Sequence, residues 1–189
     1  MQSGRARIGD YCIEETSDFI VLKQAFELRL TTWKTEGYQP EGSTAVEWSD
    51  DWDKRARHWI ARAGNERIVA AARMTFHESL SNLPDRITFI PERLGGCVLP
   101  FVILSRLVVS PDHRRHGLCK LLDRIRIDAA IEMGAKTALG SVRQNLLREA
   151  MLRKGGWKDV YELGHSMLGQ HVPCVVLALD LANVNRGLL

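Results

Sequence analysis

Apolar residues recur at three- and four-residue intervals from Phe19 through Leu22, Phe26 and Leu30 to Trp33, just behind the capping residues Ser17 and Asp18. The spacing predicts a helix that runs out near Gly37. Before it, "YCIEE" reads as a short strand; after it, "HWIARA" and "RIVAAARMTF" flank Gly64 and Asn65 as the arms of a hairpin. The stretch from "HESLSNLPD" to "PERLGGCVLP" is rich in Pro, Gly and Ser, a loop-rich insertion with room for a short helix. "FVILSRLVVS", β-branched and broken by Pro111, predicts a buried strand. Leu118, Leu121, Leu122, Ile125 and Ala129 then share one helical face, and Gly134 is placed to end that helix. "KTALGSV" reads as a strand, "NLLREAMLRKG" as a helix stopped by Gly155 and Gly156, and "WKDVYELG" and "VPCVVLALDL" as two closing strands. The resulting order, β-α-β-β-β-α-β-α-β-β, is mixed α/β.

Composition narrows the class without naming a chemistry. At 189 residues the chain suits one substantial core, so residues 1–189 are read as a single domain. A net charge of +3, with 45% hydrophobic and 26% charged residues, is ordinary for a globular chain, so any electrostatic argument has to be local. Cys12, Cys97, Cys119 and Cys174 form no C-x-x-C pair, which disfavours a zinc ribbon or disulfide scaffold and fits reduced thiols in a cytoplasm. No apolar run approaches the ~20 residues of a membrane span, and no apolar segment follows the basic N-terminus, so a soluble, unexported, cytoplasmic protein with no membrane partner is expected. His58, His165 and His171 lack metal-ligand spacing and are read as packed or surface residues, with no metal expected. Trp33, Trp48, Trp52 and Trp59 cluster in the N-terminal third, where packing is the default reading and Trp48 and Trp52 could also line an acceptor site.

The one dense local charge lies in "VVSPDHRRHGLCKLLDRIRIDAA", where a strand hands over to an amphipathic helix. First-turn amides of a helix have no intrahelical partner, and the aligned peptide dipoles add positive potential there, so the junction is built for an anion. Gly117 lets the backbone approach a phosphate closely, and Arg114, Arg115, His116 and Lys120 surround it with basic groups. Asp112, Asp123 and Asp128 interrupt the basic run and no aromatics interleave it, which argues against nucleic acid. Neither G-x-x-x-x-G-K-[ST] nor G-x-G-x-x-G occurs, so a P-loop is excluded and a Rossmann site disfavoured.

What stands there is Arg114-x-x-Gly117-x-Cys119, which resembles the [QR]-x-x-G-x-[GA] motif of the GCN5-related N-acetyltransferases. "LSRLVVSPDHR" looks like that family's fourth strand, and "NLLREAMLRKGGWKDV" like its second signature, with "KGGW" in place of K-x-G-F. The resemblance covers about Tyr11 to Asp180. It implies a mixed, largely antiparallel sheet flanked by helices, and acetyl-CoA as co-substrate without a metal. The pyrophosphate would be held by Arg114, Arg115, His116, Gly117, Leu118, Cys119 and Lys120, the pantetheine arm by the backbone of Leu107, Val108 and Val109, and a further contact would come from Asn145. Two departures stand out: Cys119 replaces a Gly or Ala, and Leu152 occupies the position of the Tyr that protonates the leaving thiolate in many members.

The implied reaction moves an acetyl group to a primary amine of a small molecule or protein. Deprotonating a lysine-like amine of pKa ~10.4 at neutral pH costs about 4 kcal/mol, so a base or water chain is needed. "FVILSRLVV" carries no acid. Glu78 is the candidate base, with His77, Asp50 and Asp53 as alternatives acting through water. Tyr161 is the candidate acid, with Ser141 beside it, and a backbone N–H near Leu107 or Val108 would meet the oxyanion. "ELRLTTWKTEGY", "SDDWDKRARHWIA" and "RIVAAARM" also resemble acyl-homoserine-lactone synthases, whose first helix carries Leu-Arg, followed by D-x-x-D and a strand-ending Arg. Two alternatives therefore stay open, an N-acyltransferase using longer acyl thioesters and a non-catalytic CoA-binding module; assembly as a homodimer is open as well.

Overall fold

The computed structural model of the protein describes residues 6–36, 49–64, 67–81, 83–84, 88–144, 147–164 and 173–184. In chain order it contains β1 (Ala6–Ile8), β2 (Tyr11–Thr16), α1 (Phe19–Thr35), β3 (Arg57–Ala63), β4 (Arg67–His77), β5 (Phe101–Val109), α2 (Leu118–Glu132), β6 (Thr137–Arg143), α3 (Leu147–Lys154), β7 (Lys158–Leu163) and β8 (Cys174–Asp180). They form an eight-stranded sheet, order β1-β2-β3-β4-β5-β6-β8-β7, flanked by helices. The expected order is reproduced with one addition, β1, whose three residues are too few to show a period. The insertion's short helix is a single 3-10 turn at Pro91–Arg93.

The chain divides into two compact units, the first comprising Met1–Thr75 with Ser105–Asp123. Its strands β1 to β4 pair as antiparallel neighbours, with a bulge between Ala61 and Arg62 on β3. β2 looks too polar for a paired strand until its partners are seen. Glu15 takes two 2.6 Å bonds from Arg57, and Glu14 accepts at 3.0 Å from Arg62, so both carboxylates are matched across the β2–β3 pair. α1 starts where Asp18 accepts from the amides of Ile20 and Val21 at 2.8 and 3.4 Å. Ala25 packs with Ile60, Ile68, Ala71 and Val108.

The buried face of α1 departs from the expected one. Leu22 and Phe26 are buried as the pattern requires, but Phe19 is 73% exposed, and Arg29 and Thr32 complete the buried stripe. A hydrophobic pattern scores Arg29 as a solvent residue; its burial depends on partners elsewhere in the chain.

The second unit comprises Phe76–Leu104 with Arg124–Leu189. β5 and β6 run parallel over Phe101↔Thr137 to Ile103↔Leu139, and β8 pairs antiparallel with both β6 and β7. Leu83, Phe89, Leu94, Phe101, Ile103, Leu139 and Val176 form its core together with Tyr161. Along α2 the buried positions include Leu118, Leu122 and Ala129 as expected, joined by Ile127 and the charged Asp123 and Arg126.

Candidate functional site

The strand-to-helix junction is formed by β5, a 3-10 turn at Pro111–His113 and the start of α2. The turn is tied to the sheet where the Ser110 amide donates to the Val69 carbonyl at 2.8 Å. Arg115 and Gly117 both have positive φ, 67° and 79°, so the chain bends sharply twice before the helix begins. The first helical bond runs from the Leu121 amide to the Gly117 carbonyl at 3.0 Å. The first-turn amides from Leu118 therefore precede the intrahelical ladder and point out of the helix start. Arg114, Arg115, His116, Gly117 and Lys120 are exposed around them, Leu118 is buried, and Cys119 is half-buried.

Two groups brace this loop. The Tyr11 ring on β2 lies edge-on to His113, with its hydroxyl 3.1 Å from Nδ1, and its centroid is 5.6 Å from that of His116. Arg114 donates to Glu36 at 2.8 Å and to the Val109 carbonyl at 3.3 Å, so much of its guanidinium is already engaged within the protein. Val108 is buried, while Leu107 and Val109 are half-buried. Helix-start amides, a left-handed glycine and surrounding cations fit a pyrophosphate.

The other candidates separate. Glu78 follows β4 directly and is exposed, whereas His77 is buried and stacked on Phe101 at 5.2 Å. Tyr161 is buried in the second unit's core. Its hydroxyl donates to the Thr88 carbonyl at 2.8 Å and accepts from the Ile90 amide at 2.9 Å, and Arg93 lies over the ring. Leu152 is buried on α3 and Ser141 is exposed on β6. Asn145, Trp48, His165 and His171 lie outside the described residues.

A second constellation, in the first unit, is assembled from four parts of the sequence. Asp53 Oδ1 accepts from Arg29 at 3.0 Å, and its Oδ2 lies 3.2 Å from Arg73. Asp50 takes Arg73 at 2.6 Å on one oxygen and Arg106 at 3.0 Å on the other. Arg73 Nε donates to Ser105 at 3.0 Å. The two aspartates hold each other in a tight turn, the Asp50 amide donating to Asp53 Oδ2 at 2.9 Å and the Asp53 amide to Asp50 Oδ1 at 3.2 Å. Burial draws the Arg29 guanidinium down to about 10, against the pull of Asp53, and it remains charged at neutral pH. Burial alone would raise the Asp50 carboxyl; Arg73 and Arg106 outweigh it and hold the group below its ordinary 3.8. A carboxylate held by two guanidiniums is a weak base, which removes Asp50 from the candidates for that role.

His58 completes this network as a neutral group. Its Nε2 lies 2.9 Å from the Asp53 carbonyl, which can only accept, so that nitrogen carries the proton and Nδ1 receives Arg29 at 3.4 Å. Burial moves its pKa below 6.5, with Arg29 and Arg73 adding to the shift. Below that value the unfolded chain takes up a proton that the folded one refuses. Stability is therefore full above pH 6.5 and declines as pH falls below it. Urea denaturation across pH should show this decline flattened in His58→Gln; an equal decline in the variant would place the acid sensitivity elsewhere.

The sequence marks Arg29 and Arg73 only through a resemblance and Asp50 and Asp53 also as candidate bases, while nothing in it marks Arg106. Arg106 sits inside β5 at φ 56°, a left-handed conformation costing a non-glycine residue roughly 1–2 kcal/mol. No one-dimensional pattern encodes that.

The sequence profile of the acetyltransferase (GNAT) family matches residues 22–156, from α1 to the glycine pair after α3. The chain belongs to the acetyltransferase (GNAT) family. No curated protein matches the sequence. Among solved structures, the GNAT chain is similar to FeeM, an N-acyl amino acid synthase from uncultured soil microbes, with TM-score 0.70 and 11% identity over 92% of this chain and 91% of that one. It is also similar to TofI, determined in a ternary complex with an inhibitor and MTA, with TM-score 0.67 and 13% identity over 96% and 100% of the two chains. The ribosomal-protein-S5-alanine acetyltransferase from Vibrio fischeri aligns with TM-score 0.65 and 9% identity over 96% and 99%. At such identities these likenesses carry the GNAT fold. Among the described residues, no group of three or more His, Cys, Asp or Glu could hold a metal ion, and no helix is long and apolar enough to cross a membrane.

Proposed function

We propose that this GNAT chain, working as one N-acyltransferase domain, transfers an acetyl group from acetyl-CoA to a primary amine in a ternary complex. The observation that carries the reading is the start of α2, where left-handed Arg115 and Gly117 present the amides from Leu118 onward among exposed cations. Leu118, Cys119 and Lys120 would hold the pyrophosphate through their backbone, with Arg115, His116 and Lys120 adding charge, while Leu107, Val108 and Val109 would hold the pantetheine arm. Cys119 in place of a smaller residue does not disturb this, because the ligand is its amide. Asn145 is proposed as a further contact.

In the reaction the amine loses a proton, its nitrogen bonds to the thioester carbon, and the C–S bond breaks to release CoA as thiolate. Glu78, exposed at the end of β4, is proposed as base through water. A backbone N–H at Leu107 or Val108 would stabilise the oxyanion. Tyr161 was the sequence candidate for the acid. Its hydroxyl already serves the Thr88 carbonyl and the Ile90 amide, so the thiolate would take its proton from water.

A second reading, transfer of longer acyl chains, is favoured by the cluster of Arg29, Asp50, Asp53 and Arg73, the Leu-Arg, D-x-x-D and strand-ending Arg that resemble acyl-homoserine-lactone synthases. Calorimetry with CoA and a thiol-release assay with acetyl-, octanoyl- and palmitoyl-CoA over an amine panel test both. CoA binding with release from acetyl-CoA supports the first reading and release from long-chain donors alone the second. Binding without release from any donor would point to a regulatory module, and absence of binding would overturn the assignment.

A further inference from the structure

The loop before α2 carries two left-handed residues close together, Arg115 at φ 67° and Gly117 at φ 79°. Glycine takes that conformation freely, whereas Arg115 meets a steric penalty and keeps it only where its surroundings over-determine the backbone. The first half of the loop is fixed by bonds within the first unit. The Ser110 amide bonds the Val69 carbonyl, the His113 amide donates to the Ser110 carbonyl at 2.9 Å, and Arg114 reaches both Glu36 and the Val109 carbonyl. None of these bonds touches residues 115–117.

Support for the second half comes from the β1–β2 hairpin. Ile8 and Tyr11 are its last cross-strand pair, opposed across the turn at Gly9 and Asp10, so their side chains share one face. A Cβ on Gly117 would stand 3.2 Å from Ile8 Cδ1, which places the isoleucine tip against the glycine. The Tyr11 ring lies 5.8 Å from that of His113 and 5.6 Å from that of His116, so it spans the residues on either side of Arg114 and Arg115. Its hydroxyl, 3.1 Å from His113 Nδ1 and 102 residues away in sequence, joins β2 to the loop. A phenol can donate to a bare ring nitrogen or accept from a protonated one, so the bond holds in either state of His113.

Resting on the proposed pyrophosphate site, we infer that Tyr11 is a positioning residue for CoA: through His113 it holds the loop with Arg115 and Gly117 left-handed before the cofactor arrives. A loop already in its bound shape binds without an ordering cost, so the hydroxyl contributes to CoA affinity while acting through His113 rather than on the phosphates. The strain at Arg115 is what makes the contact matter. Without Tyr11 that residue would relax toward negative φ, and the direction of the amides at the helix start would change with it. Ile8 adds bulk on the same side of the loop, against Gly117.

Calorimetry with CoA on the full chain reads the effect. Tyr11→Phe keeps the ring and loses only the hydroxyl; it should weaken CoA binding about fivefold, the size of one net hydrogen bond, while melting close to wild type. His113→Phe should lose as much, and the double variant no more than either single one, since each removes the same bond. His113→Asn is the rescue. Its amide oxygen takes the place of Nδ1 and accepts from Tyr11, so affinity should stay near that of wild type. Undiminished affinity in Tyr11→Phe, or losses that multiply in the double variant, overturns the inference. An equal loss in His113→Asn and His113→Phe also overturns it, by making His113 a direct charge on the phosphates. A Tyr11→Phe protein that loses affinity only as its melting temperature falls well below that of wild type overturns it too, the bond then serving stability alone. In each of these cases the wild type still binds CoA and the pyrophosphate reading stands, whereas a wild type that binds no CoA removes both.

Discussion

Gly117→Asp is expected to weaken CoA binding by at least a hundredfold, about 2.8 kcal/mol, as read by calorimetry. The side chain would bring a carboxylate to the helix start where a pyrophosphate is proposed to sit, so like charges meet where the dipole would otherwise favour an anion. Two structural effects accompany it. At φ 79° a residue with a Cβ is strained, and that Cβ would lie 3.2 Å from the Ile8 Cδ1 of β1. The tip of an isoleucine can yield by a few tenths of an ångström, and Asp tolerates left-handed backbone better than most residues, so the folding cost should stay near 1–2 kcal/mol. Gly117→Ala separates the effects, sharing the strain without the charge. If the Asp variant melts within a few degrees of wild type and still binds CoA undiminished, the helix start is not the pyrophosphate site.

Asp53→Ala is expected to be the most destabilising single truncation in the first unit, costing roughly 3–5 kcal/mol in chemical denaturation. Asp53 is the shared partner of Arg29 and Arg73, whose side chains are 1% and 2% exposed. Its removal takes the carboxylate away from Arg29 and Arg73 and deprives the Asp50 amide of its acceptor. Such a pair adds little net stability when whole, because burying the charges offsets their attraction, yet losing one member strands the other. Lys54→Ala is the control. Its pair with Asp51 lies in the same turn with side chains 79% and 85% exposed, and its loss should leave the denaturation midpoint in place. A midpoint shift for Asp53→Ala no larger than for Lys54→Ala would mean that the buried network relaxes freely.

Strands and helices with a clear period were legible in advance: α1 behind its Asp18 cap, the β3–β4 hairpin, and α2 ended by Gly134 at φ 79°. What escaped did so for identifiable reasons. β1 is only three residues long, and the polar β2 is matched by arginines that lie more than 40 residues away in sequence. Arg29 is hidden among the polar positions of α1 because hydropathy treats every arginine as solvated, whereas Asp53 and His58 offset the cost of its burial. Tyr161 suggested an acid by residue type, whereas its two hydrogen bonds tie the insertion to the second unit's core.

By itself the sequence determined what depends on neighbours along the chain: the order of elements, the GNAT motif at Arg114, Gly117 and Cys119, and the placement of cations at a helix start. These follow from propensity, periodicity and local backbone freedom, which act over a few residues. Tertiary structure alone decided which charges are paired. Arg29, Asp53, Arg73 and Arg106 meet only when α1, the acidic turn, β4 and β5 come together, and the value of a charge depends on the dielectric and the partners around it. The same aspartates that stand in the sequence as candidate bases become, once folded, the shared partners of buried arginines.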